Sequence, residues 1–397
     1  MGGPWTRRQW LHESAVALGA RFLAGAAPLA APASPVAIAK CPSYDADLVA
    51  VLNRMLDQIG GISALVKNKT VTIKLNLTGG ARARYEDRPP GVTHWVHPNL
   101  VGACVRVLGR NGARCVRLVE SKGAEPLDEA LADSGWDVKA LLSAAPRVEF
   151  ENTNLLGTGK RYARLKVPYG GYVYPAFELH PVFEDTDVFV SMSKLKNHEE
   201  AGITLSLKNC FGNTPCTVYG DNVPEDEASR LPRGGRVRIL HFGARQPPKS
   251  APQEVDFTSD RSEGYRLPRI IVDLVAARPI DLNIIDGIES AAGGEGPWVK
   301  GSKYCKPEVL VVGRNPVCTD TVATAVMGYN PRAKRGELPF RRTTPAQQPG
   351  APDWADNPML LAEAKGLGSA DLERIDVRGV SIRDALYDFE SRFQRTS

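Results

Sequence analysis

Lysine, histidine and carboxylate side chains crowd one stretch of this chain, Asp187 to Gly212. It contains Ser193-Lys194-Leu195-Lys196-Asn197-His198-Glu199-Glu200 and then Thr204 to Asn209, with Lys208 among them. A lysine beside a second lysine, or partly desolvated, gives up its proton more readily and serves as an acid or base, while a neutral histidine is a base or a metal ligand. Thr204 and Lys208 are four apart and share a face whether the stretch is helix or strand. His198, Lys208 and Lys194 are therefore the candidate catalytic residues, and Lys74, Asn76, Lys196, Thr204 and Asn209 the candidate substrate-binding ones. Asp286, Glu289 and Asp320 are candidates to hold a divalent metal or to orient the bases. Taken singly, each residue has a plainer reading: Lys194 and Lys196 as solvated strand-end charges, His198 as a turn cap. The density of the cluster is what favours a site.

Such residues do chemistry together only if the fold gathers them. β-branched or apolar runs at Val71–Asn76, Cys115–Val119, Val148–Phe150, Val188–Ser191, Leu282–Ile285 and Val309–Val312 read as strands. Helical patterns intervene at Asn99–Arg110, Leu127–Ala132, Leu267–Ala277 and Pro316–Met327, the last with Asn315 as its cap. This alternation predicts an α/β fold of mainly parallel sheets with covering helices, arranged as two lobes around a cleft. Ligands of open α/β sheets lie beyond the carboxyl ends of the strands. Those ends carry Lys74, Asn76 and Thr78, then Glu120 and Ser121, then the Lys194–His198 run, then Asp286, Glu289 and the loop Gly293-Gly294-Glu295-Gly296-Pro297, and finally Asn315 and Asp320.

The remaining organisation is a leader over 1–39, a domain over 40–330 with a polar insertion at 219–264, and a Pro-rich loop and short α/β tail over 331–397. Thr6-Arg7-Arg8-Gln9-Trp10-Leu11, an Ala-rich stretch from Ser14 to Ala31 and Ala37-Ile38-Ala39 before Lys40 have the layout of a twin-arginine export signal. That predicts export to the periplasm or beyond, with the twin-arginine translocase as a transient partner. The apolar run is broken by Arg21 and by several Gly and Pro, so no stable membrane span is expected.

The 397 residues carry 50 Lys+Arg against 45 Asp+Glu, a net charge of +5, with 43% hydrophobic residues. That composition belongs to a globular protein, and its basic residues are scattered, which argues against a nucleic-acid partner and for a small-molecule ligand. The seven cysteines form no Cys-x-x-Cys pair, which removes the iron–sulfur cluster and zinc-ribbon readings. Cys210 and Cys216 are placed for a small disulfide loop, or all seven are buried thiols. His97 before Pro98 reads as a helix-start residue, and Gly157-Thr158-Gly159-Lys160-Arg161 lacks the full phosphate-loop spacing and reads as a turn. The glycine loop at 293–296 lacks the dinucleotide fingerprint, so no nicotinamide cofactor is expected.

Five separated blocks in order resemble the bacterial and archaeal family grouped as domain of unknown function 362. They are Ile73–Asn76; Thr93–Pro98; Lys194–His198 with Thr204–Asn209 and Gly212; Asp286–Glu289 with Gly294–Pro297; and Asn315–Asp320 with Gly328. The tail from Gly366 to Gly379 is similar too. Some members of that family carry a ferredoxin-type cluster, whose cysteines this chain lacks. A single segment, His198-x-x-Ala201-Gly202 with Lys208 ten residues after the histidine, resembles the nickel-pincer lactate racemases, where a His and a Lys at that spacing serve the substrate and the cofactor. Here Ile203–Leu207 replaces the additional glycines of those enzymes. The resulting expectation is an exported enzyme acting on a small anionic or hydroxylated substrate, with a divalent metal as the candidate cofactor. A non-catalytic metal- or anion-binding protein and an accessory module of a redox enzyme are the alternatives.

Overall fold

The strands with the most continuous apolar runs occupy the middle of one eight-stranded sheet. The structure, a computed structural model, describes residues 30–342 and 351–392. The strands in chain order are β1 Val36–Lys40, β2 Thr70–Lys74, β3 Cys115–Glu120, β4 Val148–Asn152, β5 Ala163–Lys166, β6 Ala176–Leu179, β7 Val188–Lys194, β8 Asn197–His198, β9 Gly202–Ile203, β10 Leu282–Gly287, β11 Ser290–Ala292, β12 Lys303–Cys305, β13 Val309–Gly313 and β14 Val377–Gly379. The main sheet runs β14-β1-β13-β10-β7-β2-β3-β4, and β5/β6, β8/β9 and β11/β12 are two-stranded. Every residue of β2, β7, β10 and β13 is buried, as strands covered on both faces must be. All neighbouring pairs are parallel except the two made by β13.

Side chains alternate between the two faces and build two apolar cores. On one face Val188, Val190 and Met192 of β7 pack with Val71, Ile73, Val116 and Leu118 beneath the helices Leu48–Gln58 and Pro98–Arg110. On the other, Phe189, Ile285, Val309 and Val311 pack with the helices Glu263–Ala277 and Pro316–Val326. His97 caps Pro98–Arg110 by accepting from Asn99 N through Nδ1 (3.1 Å), and Asn315 caps Pro316–Val326 through Cys318 N (3.1 Å), both at the predicted helix starts.

The sheet grows outward in two directions. From β2 the chain steps to β3 and β4 on one side, and from β7 to β10 on the other, so β2 and β7 are neighbours at the point where the order reverses. The two halves flanking the crevice thus share one continuous sheet.

Residues 1–29, which hold the twin-arginine-like run and most of the Ala-rich stretch, lie outside the described residues. Val36–Lys40, however, is strand β1, inserted between β13 and β14. A leader ending after Ala39 would cut through a buried strand. Small, apolar Ala37-Ile38-Ala39 suits both a cleavage site and an interior strand, and here it pairs as a strand.

The insertion at 219–264 is tied to the body: Glu254 is fully buried and ion-paired with Arg266 (2.9 Å), at the start of Glu263–Ala277. All seven cysteines are buried and unbridged. Among the described residues no helix is long and apolar enough to cross a membrane.

Candidate functional site

The carboxyl ends of β2 and β7 are bridged by Asn209, the last residue of the short helix Leu205–Asn209. Its Nδ2 donates to Ser191 Oγ (3.0 Å), Met192 O (3.3 Å) and Lys74 O (3.4 Å), and its Oδ1 accepts from Lys74 Nζ (3.4 Å). Lys74 is buried and paired with Glu120 Oε1 at 2.6 Å; Glu120 also accepts from Leu77 N and Ser121 N, each at 2.9 Å. A Cβ on Gly212 would lie 2.7 Å from Lys74 Nζ, so a larger residue there would displace the end of the lysine side chain. Lys74 and Asn209 therefore form a buried polar network at the carboxyl ends of these strands. Asn76 lies beside them, its Oδ1 buried without a hydrogen bond.

At the end of β7, Lys194 turns away from the crevice. Its Nζ meets Asp286 Oδ2 (2.9 Å), Tyr44 Oη (2.8 Å) and Gly91 O (3.2 Å), and both charged residues are fully buried. Asp286 also accepts from His97 N (3.0 Å) and Tyr44 Oη (2.8 Å). Lys196, two residues on, donates to His94 O (2.7 Å) and Glu295 O (3.0 Å). Burial pulls its ammonium down to about 7, opposed by Glu295 and assisted by Lys194 and Lys208.

The β8/β9 hairpin carries His198. Its Nδ1 lies 3.0 Å from Glu200 Oε2 and 3.9 Å from Glu295 Oε2, and one ligand atom from each of the three residues falls within 4.8 Å of the others. Glu295 is held from both sides, Oε2 by Glu199 N (3.0 Å) and Oε1 by Trp298 Nε1 (2.9 Å). Burial raises the Glu200 carboxyl, but the hydrogen bond and charge of His198, with help from His241 and Lys208, bring it well below the usual range. Lys208 is lowered to about 8 by burial, with Glu200 and Glu295 opposing and Arg236 and Lys74 assisting. Its Nζ sits 4.5 Å from the centroid of the Phe211 ring and, among the described residues, makes no hydrogen bond or ion pair.

The structure thus brings His198, Lys196 and Lys208 to one place, with Lys74 and Asn209 below. Thr204 supports the hairpin, its N donating to Lys196 O (3.0 Å) and its Oγ1 to Asn197 O (3.4 Å). The carboxylate trio proposed for metal is not assembled. Asp286 is consumed by Lys194; Glu289 accepts from Tyr304 Oη (2.5 Å); Asp320 accepts Ser206 N (2.9 Å) and Leu207 N (2.8 Å) at the start of the short helix. Among the described residues the metal-capable cluster is His198, Glu200 and Glu295 instead. Glu200 stood within the densest segment and Glu295 in a glycine loop at a strand end, but nothing in their spacing, 95 residues apart, pairs them.

A mostly parallel eight-stranded α/β sheet covered by helices, with buried lysines and carboxylates at its strand ends, defines the class of protein. The chain belongs to the family described as domain of unknown function (DUF362), whose model matches residues 71–325. It is 28% identical over 272 residues to the thylakoid-associated protein sll1697 of Synechocystis sp. (strain ATCC 27184 / PCC 6803 / Kazusa), an alignment covering 62% of this chain and 75% of that one. Among solved structures it is similar to a Thermotoga maritima protein, Northeast Structural Genomics Consortium target VR152, with a TM-score of 0.33 and 14% identity. That match covers 62% of this chain and half of the other.

Proposed function

We propose that the switch-point crevice is the active site of an enzyme that binds a divalent cation and acts on a small anionic substrate. The observation that carries this reading is the convergence of His198, Glu200 and Glu295 beside Lys208. One imidazole nitrogen and two carboxylate oxygens suit a borderline divalent metal such as zinc or manganese. The two carboxylates balance a charge of +2, and the Glu295 carboxylate is already oriented by Trp298 and the Glu199 amide, as ligating carboxylates usually are. A bound cation would supply Lewis-acid polarisation of a substrate oxygen. Lys208, free of hydrogen bonds among the described residues and lowered toward neutrality, accepts or returns a proton there or holds an anionic oxygen. Lys196 positions the Glu295 segment through its carbonyl. The spacing of His198 and Lys208 that resembles the racemases supports assigning both to one site.

Titration of full-length protein with Mn²⁺ or Zn²⁺ by calorimetry tests this. One equivalent is expected to bind, with affinity falling at least tenfold in His198→Gln and in Glu295→Gln while the far-UV dichroism is unchanged. Absence of binding, or equal binding by the variants, would sink the reading. We further propose export by the twin-arginine route, supported by the sequence Thr6–Leu11, with processing ahead of β1.

A further inference from the structure

The insertion at 219–264 brings a second histidine to the neighbourhood of Lys208. Val237–His241 is a single π-helical turn, closed by Phe242 N donating to Val237 O (3.0 Å), a conformation frequent at functional sites. The turn is pinned along its length. Ile239 and Leu240 are fully buried; Arg236 Nε donates to Thr214 O (2.7 Å), Arg238 N to Asp221 Oδ1 (2.7 Å), and Arg266 Nη2 to Ile239 O (3.3 Å). His241, at its end, thus stands on a fixed backbone.

The two ring nitrogens of His241 are used differently. Nδ1 donates to Glu263 Oε1, on a side chain that is 1% exposed and has Arg342 Nη2 3.7 Å from its other oxygen. A carboxylate offers only acceptors, so this bond keeps the proton of the neutral ring on Nδ1 and leaves Nε2 a bare lone pair. Among the described residues Nε2 makes no hydrogen bond or ion pair. Phe211 ties the histidine to the site: its ring centroid lies 5.3 Å from that of His241, edge-on at 69°, and 4.5 Å from Lys208 Nζ. Glu200 is near both. Its carboxyl, raised by burial, is brought down chiefly by His198 and further by His241 and Lys208. The His241 side chain is 13% exposed and Lys208 is also partly exposed, so a small anion can lie against the two from solvent.

We infer that His241 is the catalytic base of the proposed active site: its Nε2 takes the proton of a substrate O–H, the electron pair stays on that oxygen, and Lys208 holds the anion formed. Glu263 is the positioning residue that fixes the tautomer and neutralises the imidazolium. This deepens the reading above, on which it rests, by separating the two roles left there to Lys208. It also adds a residue that the strand-end pattern did not reveal, since the insertion lies away from the strand ends.

Carbethoxylation of full-length protein by diethyl pyrocarbonate in EDTA, mapped by mass spectrometry, is the test, because the reagent attacks bare, accessible imidazole nitrogens. His241 is expected to react, and the fully buried His94 to resist. Inorganic phosphate stands in for the substrate anion. At roughly ten times its dissociation constant it should slow the reaction of His241 about tenfold relative to chloride of equal ionic strength, and Lys208→Met should remove that protection. Glu263→Gln should shift the ring toward the Nε2–H tautomer in long-range proton–nitrogen NMR correlations and slow the reaction several-fold. An unreactive His241, equal rates in phosphate and chloride, or protection that survives Lys208→Met overturns the inference. Mn²⁺ binding by calorimetry without phosphate protection removes this inference alone. Phosphate protection in a chain that binds no Mn²⁺ supports the base and removes only the metal reading.

Discussion

Starting the chain at Lys40 rather than at Ala30 removes β1 from between β13 and β14, and the cost follows from what that strand buries. Val36 and Ala37 are 0% and Ile38 1% exposed. Returning a buried Val or Ile to water costs about 1.5–3 kcal/mol, so these two side chains alone account for about 3–6 kcal/mol. β13 would lose its partners from Val309 to Gly313 and become an edge, while β14, whose sheet neighbour is β1, would lose its place altogether. Against a typical net stability of about 5–15 kcal/mol, that loss leaves little or no folded protein. Urea unfolding of the two chains, followed by far-UV dichroism, is the assay. A chain starting at Ala30 should unfold in a cooperative transition, and one starting at Lys40 should show a midpoint lowered by more than half or no transition at all. Matching midpoints would refute the argument, because β1 would then contribute nothing to the sheet. For the proposed export, the corresponding expectation is that N-terminal sequencing of the processed protein begins before Val36.

Two further outcomes are expected. Glu120→Gln strands the buried Lys74 ammonium and should cost about 3–5 kcal/mol in urea unfolding, with part of the loss recovered in the double variant that also carries Lys74→Met. Lys208→Met tests the lowered lysine: the native side chain titrates near 8 and the unfolded one near 10.5, so the unfolded state binds more protons in between and the unaltered protein gains stability as pH rises. Relative to Lys208→Met in EDTA, that gain should be about 1–2 kcal/mol from pH 7.5 to 9.5, the lower figure allowing for its partial exposure. Parallel stability profiles for the two proteins would show that Lys208 titrates normally.

The elements were legible because their signals are local. β2, β7, β10 and β13 are buried on both faces and read as unbroken apolar runs, and Asn315 and His97 mark helix starts by chemistry that needs no tertiary partner. The helix Glu263–Ala277 begins four residues before the predicted Leu267, since Glu263, Gly264 and Arg266 are polar or small yet buried against the insertion and Trp354. The site was legible in part. His198, Lys196 and Lys208 share the segment that leaves β7, so the same local chain delivers them. Lys194 and Asp286 looked equally suited to chemistry, because a strand-end lysine or carboxylate has the same sequence signature whether it faces a crevice or a buried counter-charge.

By itself, the order of residues determined the α/β alternation, the basic segment after β7 and the absence of cysteine-cluster and dinucleotide motifs, since each depends on neighbours within a few positions. The tertiary structure decided which charges cancel and which remain available. Lys194 met Asp286, and Lys74 met Glu120, across strands adjacent only in the sheet, while Glu295 reached His198 from 97 residues away and the 338–342 segment reached it across Gly202. Those encounters depend on strand order and loop approach, which periodicity does not encode. They bring His198, Glu200 and Glu295 within reach of one another and leave Asp286, Glu289 and Asp320 hydrogen-bonded to other partners.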